Sequence, residues 1–232
     1  MLLFGVTLIT LGAVIPGLKE KFDFDELGSG TLFSILPIGI LSGSLIFGPV
    51  SDKYGYKLML VAACTGMFAG FEGIAFAPSP LWLKIAVYIF GFSGGLINGA
   101  TNAPVSDISP RNKTANLSLL GVFFAIGALG MPFLLGFLKE IYRFETIVAI
   151  VGVLALLTGV ISLFLKFPPA KMQQGSPLAK GFALFTDKIL ILIAFFLFFQ
   201  SSLEAIIHNW ITIYLMADPS GLKKAALCTP FP

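Results

Sequence analysis

A long run without charge limits what this chain can fold into. Residues 27–50 contain no charged side chain and are rich in leucine, isoleucine and phenylalanine. An α-helix needs about 20 consecutive apolar residues to cross the hydrocarbon core of a bilayer. Over the whole chain 56% of the residues are hydrophobic and only 12% are charged, against about 25% charged in an ordinary soluble domain. The sequence therefore predicts an integral membrane protein.

Seven mostly apolar runs of about this length are separated by charged or proline-containing segments. The predicted membrane helices are residues 1–18, 29–50, 57–77, 81–106, 116–138, 146–165 and 189–216. We predict an all-α protein whose N-terminal six-helix bundle covers residues 1–166. Residues 167–188 are rich in proline and lysine and form a predicted cytoplasmic linker to the seventh helix. Residues 217–232 form a predicted tail.

The distribution of lysine and arginine gives the predicted orientation. Cytoplasmic segments of membrane proteins carry an excess of these residues. With the N-terminus inside, eight of the fifteen lie on the cytoplasmic side. We therefore expect a cytoplasmic N-terminus, in a bacterial inner membrane.

Several classes of function have no support in the residues. The formal net charge of +3 is small, so nothing indicates a nucleic-acid partner. The chain has one histidine, which excludes the H-E-x-x-H metal motif, and it has no G-x-x-x-x-G-K-[ST] loop for ATP. We expect no enzyme activity, no cofactor and no metal.

Two turns suggest an internal repeat. Gly48 is followed four residues later by an acid and eight residues later by an aromatic residue. Gly136 is followed by the same pattern, 88 residues further along (136 minus 48). Such a spacing is typical of a three-plus-three inverted repeat, in which equivalent turns lie on opposite sides of the membrane.

The segment GPVSDKYGYK, between the second and third predicted helices, resembles a family signature. It is similar to the pattern G-x-x-x-D-[RK]-x-G-[RK]-[RK] of the major facilitator superfamily, with Tyr56 where a basic residue is usual. The matching residues are Gly48, Asp52, Lys53, Gly55 and Lys57. The resemblance implies a six-helix bundle built as a three-plus-three repeat, followed by the first helix of a second half. It also implies that this loop is a conformational latch, in which Asp52 closes on a helix of the second half. Because such transporters have twelve helices, we expect this chain to be truncated after the seventh.

Two further segments resemble one branch of that superfamily, the fucose–proton symporter and related sugar permeases. GLINGATNAPV in the fourth helix places Asn102 on the asparagine of that branch. LEAIIHNWITIYL in the seventh helix places Glu204, Trp210 and Tyr214 on its acid, tryptophan and tyrosine.

Two amides in the fourth predicted helix are candidate substrate ligands. Asn98 and Asn102 are four residues apart and so share one face of the helix. Gly91, Gly95 and Gly99 form a stripe beside them that lets another helix approach closely. The amides could bind sugar hydroxyls in a central cavity, or they could hydrogen-bond between helices.

The seventh predicted helix carries a second polar face. Gln200, Glu204 and His208 follow at four-residue spacing. An acid inside a membrane span is a functional candidate by default, and Glu204 and His208 are our proton-coupling candidates. The alternative is a neutral pair that only stabilises packing. The predicted substrate ligands are Asn98, Asn102, Gln200, Glu204, Asn209 and Trp210.

We therefore expect a secondary or facilitative transporter of a small polar solute, most simply a monosaccharide. Its expected partners are a sugar-like substrate, membrane lipid and a coupling ion, either a proton or sodium. A multidrug efflux antiporter is the first alternative, because the loop signature is shared. A membrane sensor without transport, or an inactive fragment, is the second.

Overall fold

The computed structural model describes residues 1–109, 111–138, 141–167 and 188–217. The side chains of Glu26, residues 204–206 and residues 208–217 lie outside this description. The described chain folds into seven α-helices: α1 (Leu2–Phe22), α2 (Glu26–Tyr54), α3 (Tyr56–Phe76), α4 (Pro80–Ile108), α5 (Lys113–Leu138), α6 (Phe144–Phe164) and α7 (Lys188–Ala217). Helices α1–α6 are each long and apolar enough to cross a membrane, as the sequence predicts. The all-α prediction is confirmed.

Helix α1 is longer than predicted. It continues past Leu18 through a charged last turn and ends at Phe22. Asp23 then adopts the left-handed conformation, with φ of 51°, which closes the helix. Asp25 begins α2, since its carboxylate accepts a hydrogen bond from the backbone N–H of Gly28 at 2.7 Å. The connection is therefore shorter than the hydropathy of this segment indicates.

The segment predicted as the latch loop is mostly helical, which corrects that expectation. Helix α2 continues through Asp52 and Lys53 to Tyr54, and α3 begins at Tyr56. Gly55 alone separates them, with φ of 82° and ψ of 163°. This backbone region is essentially confined to glycine. The charges of the signature are therefore held on the last turn of one helix and the first turn of the next.

Helices α2 and α4 pack backbone to backbone through glycines. A methyl group at Gly91 or Gly95 of α4 would collide with the carbonyl oxygens of Leu36 and Ile40 in α2. On α2, a methyl group at Gly39 would lie 2.6 Å from the Tyr88 carbonyl oxygen of α4. The predicted glycine stripe is confirmed as the contact that lets α2 and α4 approach closely.

The two halves of the bundle repeat each other in sequence position. Helices α3 and α6 each contain 21 residues, and both their first and last residues are 88 positions apart. The same spacing separates Pro16 in α1 from Pro104 in α4, and Gly39 in α2 from Gly127 in α5.

Packing follows the repeat in part. If α1, α2 and α3 correspond to α4, α5 and α6, the α2–α4 pair corresponds to α5–α1, and both pairs are extensive. Gly127 also lies against the backbone of Leu2 in α1, as Gly39 lies against α4. The extensive contact between α3 and α4 has only a slight counterpart between α1 and α6. The correspondence between the two halves is therefore clearest for the α2–α4 and α1–α5 pairs.

Candidate solute site

An open cavity of about 510 Å³ lies where α2, α4 and α5 meet. It opens near the end of the bundle that carries Met1, the α2–α3 connection and the α4–α5 connection, which we call the Met1 face. Its lining residues are Phe47, Asn98, Gly99, Asn102, Ala103, Ser106, Lys113 and Leu117. Both α4 asparagines that the sequence predicts as substrate ligands, Asn98 and Asn102, therefore lie in one cavity.

The two asparagines are bonded to each other along α4. Asn102 Nδ2 donates to Asn98 Oδ1 at 2.8 Å and to the Asn98 main-chain oxygen at 3.1 Å. An amide nitrogen has two N–H groups, so both donors of Asn102 are used. Within the described residues, Asn98 Nδ2 and Asn102 Oδ1 have no hydrogen-bond partner. The half-buried pair therefore offers two donors and one acceptor oxygen to the cavity.

The two hydroxyl groups near the pair differ in whether they are free to bond a solute. Thr101 Oγ1 donates to the main-chain oxygen of Ile97 at 2.8 Å, as helical threonines commonly do. Ser106 lines the cavity, and its hydroxyl makes no hydrogen bond to another described residue. Ser106 therefore adds a group that can both donate to and accept from a solute.

Phe47 gives the cavity an aromatic wall. Its ring lies against Gly99, where a methyl group would be 2.8 Å from Phe47 Cε1. The ring is also stacked near Tyr56, with centroids 6.4 Å apart and an interplanar angle of 16°. The ring is therefore held by a glycine of α4 and by the first residue of α3.

Tyr56 also links the α2–α3 connection to the end of α4. Its phenolic hydroxyl donates to Asp107 Oδ2 at 2.6 Å, a distance typical of a hydrogen bond to a charged acceptor. The residue that departs from the family signature thus keeps a polar contact, although it carries no charge. Of the signature lysines, Lys53 is exposed and its Nζ lies 5.1 Å from the ring centroid of Tyr54.

The predicted ligands of the seventh helix are only partly described. Gln200 is exposed on α7, and α7 packs against α1. The side chains of Glu204, His208, Asn209 and Trp210 lie outside the described residues, so their predicted roles stay predictions. Of the predicted ligands, the structure brings together Asn98 and Asn102.

Five lining residues are not predicted by the sequence patterns: Phe47, Ala103, Ser106, Lys113 and Leu117. Phe47 and Lys113 come from α2 and α5, and neither belongs to a spacing pattern with the α4 amides. Ser106 is four residues beyond Asn102 and continues the 98–102 face. That spacing is a signal that could have found it.

Comparison with known proteins agrees with the fold. The profile of the Major Facilitator Superfamily matches residues 1–229. The chain belongs to this superfamily of membrane proteins. This confirms the superfamily resemblance of the GPVSDKYGYK segment.

The relatives differ in what their names say they carry. One, a multi-drug resistance efflux pump PmrA homolog of Lactococcus lactis subsp. lactis (strain IL1403), is 30% identical over 81% of this chain and 45% of its own length. A 3-(3-hydroxy-phenyl)propionate transporter of Escherichia coli (strain K12) is 27% identical over 97% of this chain and 57% of its own length. A D-xylose transporter of Levilactobacillus brevis is 26% identical over 51% of this chain and 26% of its own length. The chain spans about half or less of the length of most of the curated relatives it matches.

Proposed function

We propose that this protein takes part in alternating-access transport of a small polar solute, a monosaccharide in the first place. In this proposal the six-helix bundle forms one side of the solute pathway, and the α2–α4–α5 cavity is part of the solute site. The Met1 face is cytoplasmic, and the membrane is the bacterial inner membrane. Within the superfamily, the proposed branch is that of the fucose–proton symporter.

The observation that carries the proposal is the amide pair of α4. Sugar hydroxyls both donate and accept hydrogen bonds, and a site that binds them must offer both donors and acceptors. Asn98 Nδ2 supplies donors and Asn102 Oδ1 supplies an acceptor, while the bond between the two amides orients both groups. Phe47 covers the cavity with an aromatic ring, a surface suited to the C–H face of a pyranose. Polar orienting groups against an apolar wall are the usual composition of a small-molecule site.

We propose that side chains of α7 carry the coupling proton. Asn98 does not titrate, so α4 offers no carrier at the position of the amide pair. Glu204 lies within the apolar part of α7, where a charged carboxylate costs roughly 2.5–3.5 kcal/mol on insertion scales. A carboxyl group that has bound a proton is neutral and avoids that cost. His208 is one turn further along and is the proposed partner in this step.

Uptake into proteoliposomes tests the proposal. We expect saturable accumulation of a labelled monosaccharide, driven by an imposed pH gradient and abolished by a protonophore. Glu204→Gln should remove accumulation against the gradient while leaving exchange of the sugar between the two sides. The double variant Glu204→Gln, Gln200→Glu is the matched control, because it places an acid one turn away from the lost one and should not restore accumulation. Unchanged accumulation in Glu204→Gln would remove Glu204 from the coupling step.

Efflux of amphipathic compounds is the second candidate function. It is favoured by the relative named as a multi-drug resistance efflux pump homolog. The two functions differ in what expression does to a sensitive host. Efflux predicts resistance to several unrelated cationic dyes and no saturable sugar flux, whereas the sugar proposal predicts the reverse.

A further inference from the structure

The cavity at the Met1 face carries a positive charge that no acid among the described residues pairs with. Lys113, the first residue of α5, is one of the lining residues, and it is the only charged side chain among them. No carboxylate of the described residues lies within ion-pair distance of its ammonium group. The nearest acid along α4, Asp107, is exposed and accepts the hydroxyl of Tyr56 instead.

The position of Lys113 at the start of α5 is not one that favours a lysine for helix stability. The N-terminus of a helix carries a partial positive charge, and a cation in the first turn is repelled by it. The first turn of α5 contains no acidic residue that would offset this. A ligand anion at the cavity mouth would interact favourably with both the ammonium group and the helix N-terminus.

The side-chain groups of the cavity that can still bond a solute are mostly hydrogen-bond donors. Asn98 Nδ2 and the Lys113 ammonium group are donors only, and Ser106 can donate as well. Asn98 Oδ1 already accepts from Asn102 Nδ2, so among the described lining residues Asn102 Oδ1 is the amide oxygen without a hydrogen-bond partner. A solute with more acceptors than donors and with a negative charge therefore complements these groups better than a neutral one.

We propose that the solute is an acidic sugar, in which a carboxylate meets Lys113 while ring hydroxyls meet Asn98 and Asn102. This inference rests on the proposed function, since it takes a monosaccharide as the solute and adds the carboxylate. Phe47 covers the apolar face of the ring. Hexuronates have this combination of one carboxylate, several hydroxyls and a pyranose ring.

Equilibrium binding to the 232-residue chain in phosphatidylcholine nanodiscs tests the charge directly. Neutral lipid is chosen so that no anionic headgroup pairs with Lys113. The probes are glucose, glucuronate and glucosamine, and the corresponding galactose series, because each series changes the charge and keeps the ring. We expect the uronate to bind about five-fold more tightly than the hexose, the amino sugar to bind more weakly than either, and the preference to shrink as salt rises.

Two substitutions separate a cavity charge from a general surface charge. Lys113→Gln should remove the preference, so that the uronate binds no more tightly than the hexose. Arg111→Gln removes an exposed charge two residues away that does not line the cavity, and it should leave the preference unchanged. Both side chains are exposed, so neither substitution disturbs the core.

The outcomes distinguish the inference from the function beneath it. Hexose binding without any preference for the uronate, or a preference that survives Lys113→Gln, overturns the acidic-sugar inference and leaves the monosaccharide proposal standing. If no member of either series binds, the monosaccharide proposal fails, and this inference fails with it.

Discussion

The hydroxyl group of Tyr56 donates a hydrogen bond of 2.6 Å to Asp107 Oδ2, joining the start of α3 to the end of α4. Tyr56 occupies a position of the family signature where a basic residue is usual. Its ring is 5% exposed and is stacked near Phe47, which lines the cavity. The α2–α3 connection is thus in contact with a wall of the proposed solute site.

Removal of that hydroxyl group should destabilise the bundle. Tyr56→Phe keeps the ring and its stacking but leaves Asp107 without this donor. We expect the free energy of unfolding to fall by about 1 kcal/mol, measured by denaturant titration in mixed micelles. Tyr54→Phe is the control, since Tyr54 is exposed and its ring under Lys53 is kept. An equal loss in both variants would show that the hydrogen bond contributes nothing.

The glycine contact between α2 and α4 should tolerate no methyl group. In Gly95→Ala the added carbon would collide with the Ile40 carbonyl oxygen and lie 2.8 Å from the Ser44 nitrogen. Both of these atoms belong to the backbone, so the helices must move apart, and we expect a loss of about 1–3 kcal/mol in the free energy of unfolding.

Gly121→Ala is the control for that substitution. A methyl group at Gly121 of α5 meets nothing within 4 Å. Alanine is favoured over glycine in a helix, so this variant should be neutral or slightly more stable. If Gly95→Ala behaves in the same way, the close approach of α2 and α4 is not needed for stability.

The backbone of Gly55 should reject every other residue. Its φ of 82° and ψ of 163° lie in a region that costs a side chain about 1–3 kcal/mol. We expect Gly55→Ala to lower the thermal unfolding temperature, measured by light-scattering onset. Gly55→Asn tests the reason, because asparagine tolerates the left-handed helical region but not this one. A full rescue by asparagine would contradict the conformation described.

The features of the fold and the site that depend on residues close in sequence could be predicted. Those that depend on contacts between helices could not. Helix α6 begins at Phe144 and α3 at Tyr56, within two residues of the hydropathy boundaries, because membrane burial is a local property. The bond between Asn98 and Asn102 follows from their four-residue spacing. The glycine stripe predicted a close helix but not which one.

The parts that escaped prediction depend on contacts between helices. The sequence predicts the latch segment as a loop, yet α2 continues through charged residues such as Asp52, because hydropathy falls there but helicity does not. Phe47 and Lys113 enter the cavity from α2 and α5. Their place could be known only after the packing of those helices on α4 was known.

The donor of Asn98 should contribute directly to solute affinity. Asn98→Ala removes Nδ2 and also the group that orients Asn102, so we expect the affinity for a bound monosaccharide to fall about ten-fold or more. Thr101→Val is the matched control on the same helix, because the Thr101 hydroxyl is bonded to Ile97 and does not line the cavity. It should bind as the unaltered protein does.

The most direct test of the site is equilibrium dialysis of labelled hexoses, pentoses and hexuronates against the purified protein and its Asn98→Ala, Asn102→Ala double variant. We expect saturable binding of at least one of these sugars to the unaltered protein, and its loss in the double variant while the protein remains folded. Saturable binding that is unchanged in the double variant would contradict the claim that the α4 amide pair holds the solute.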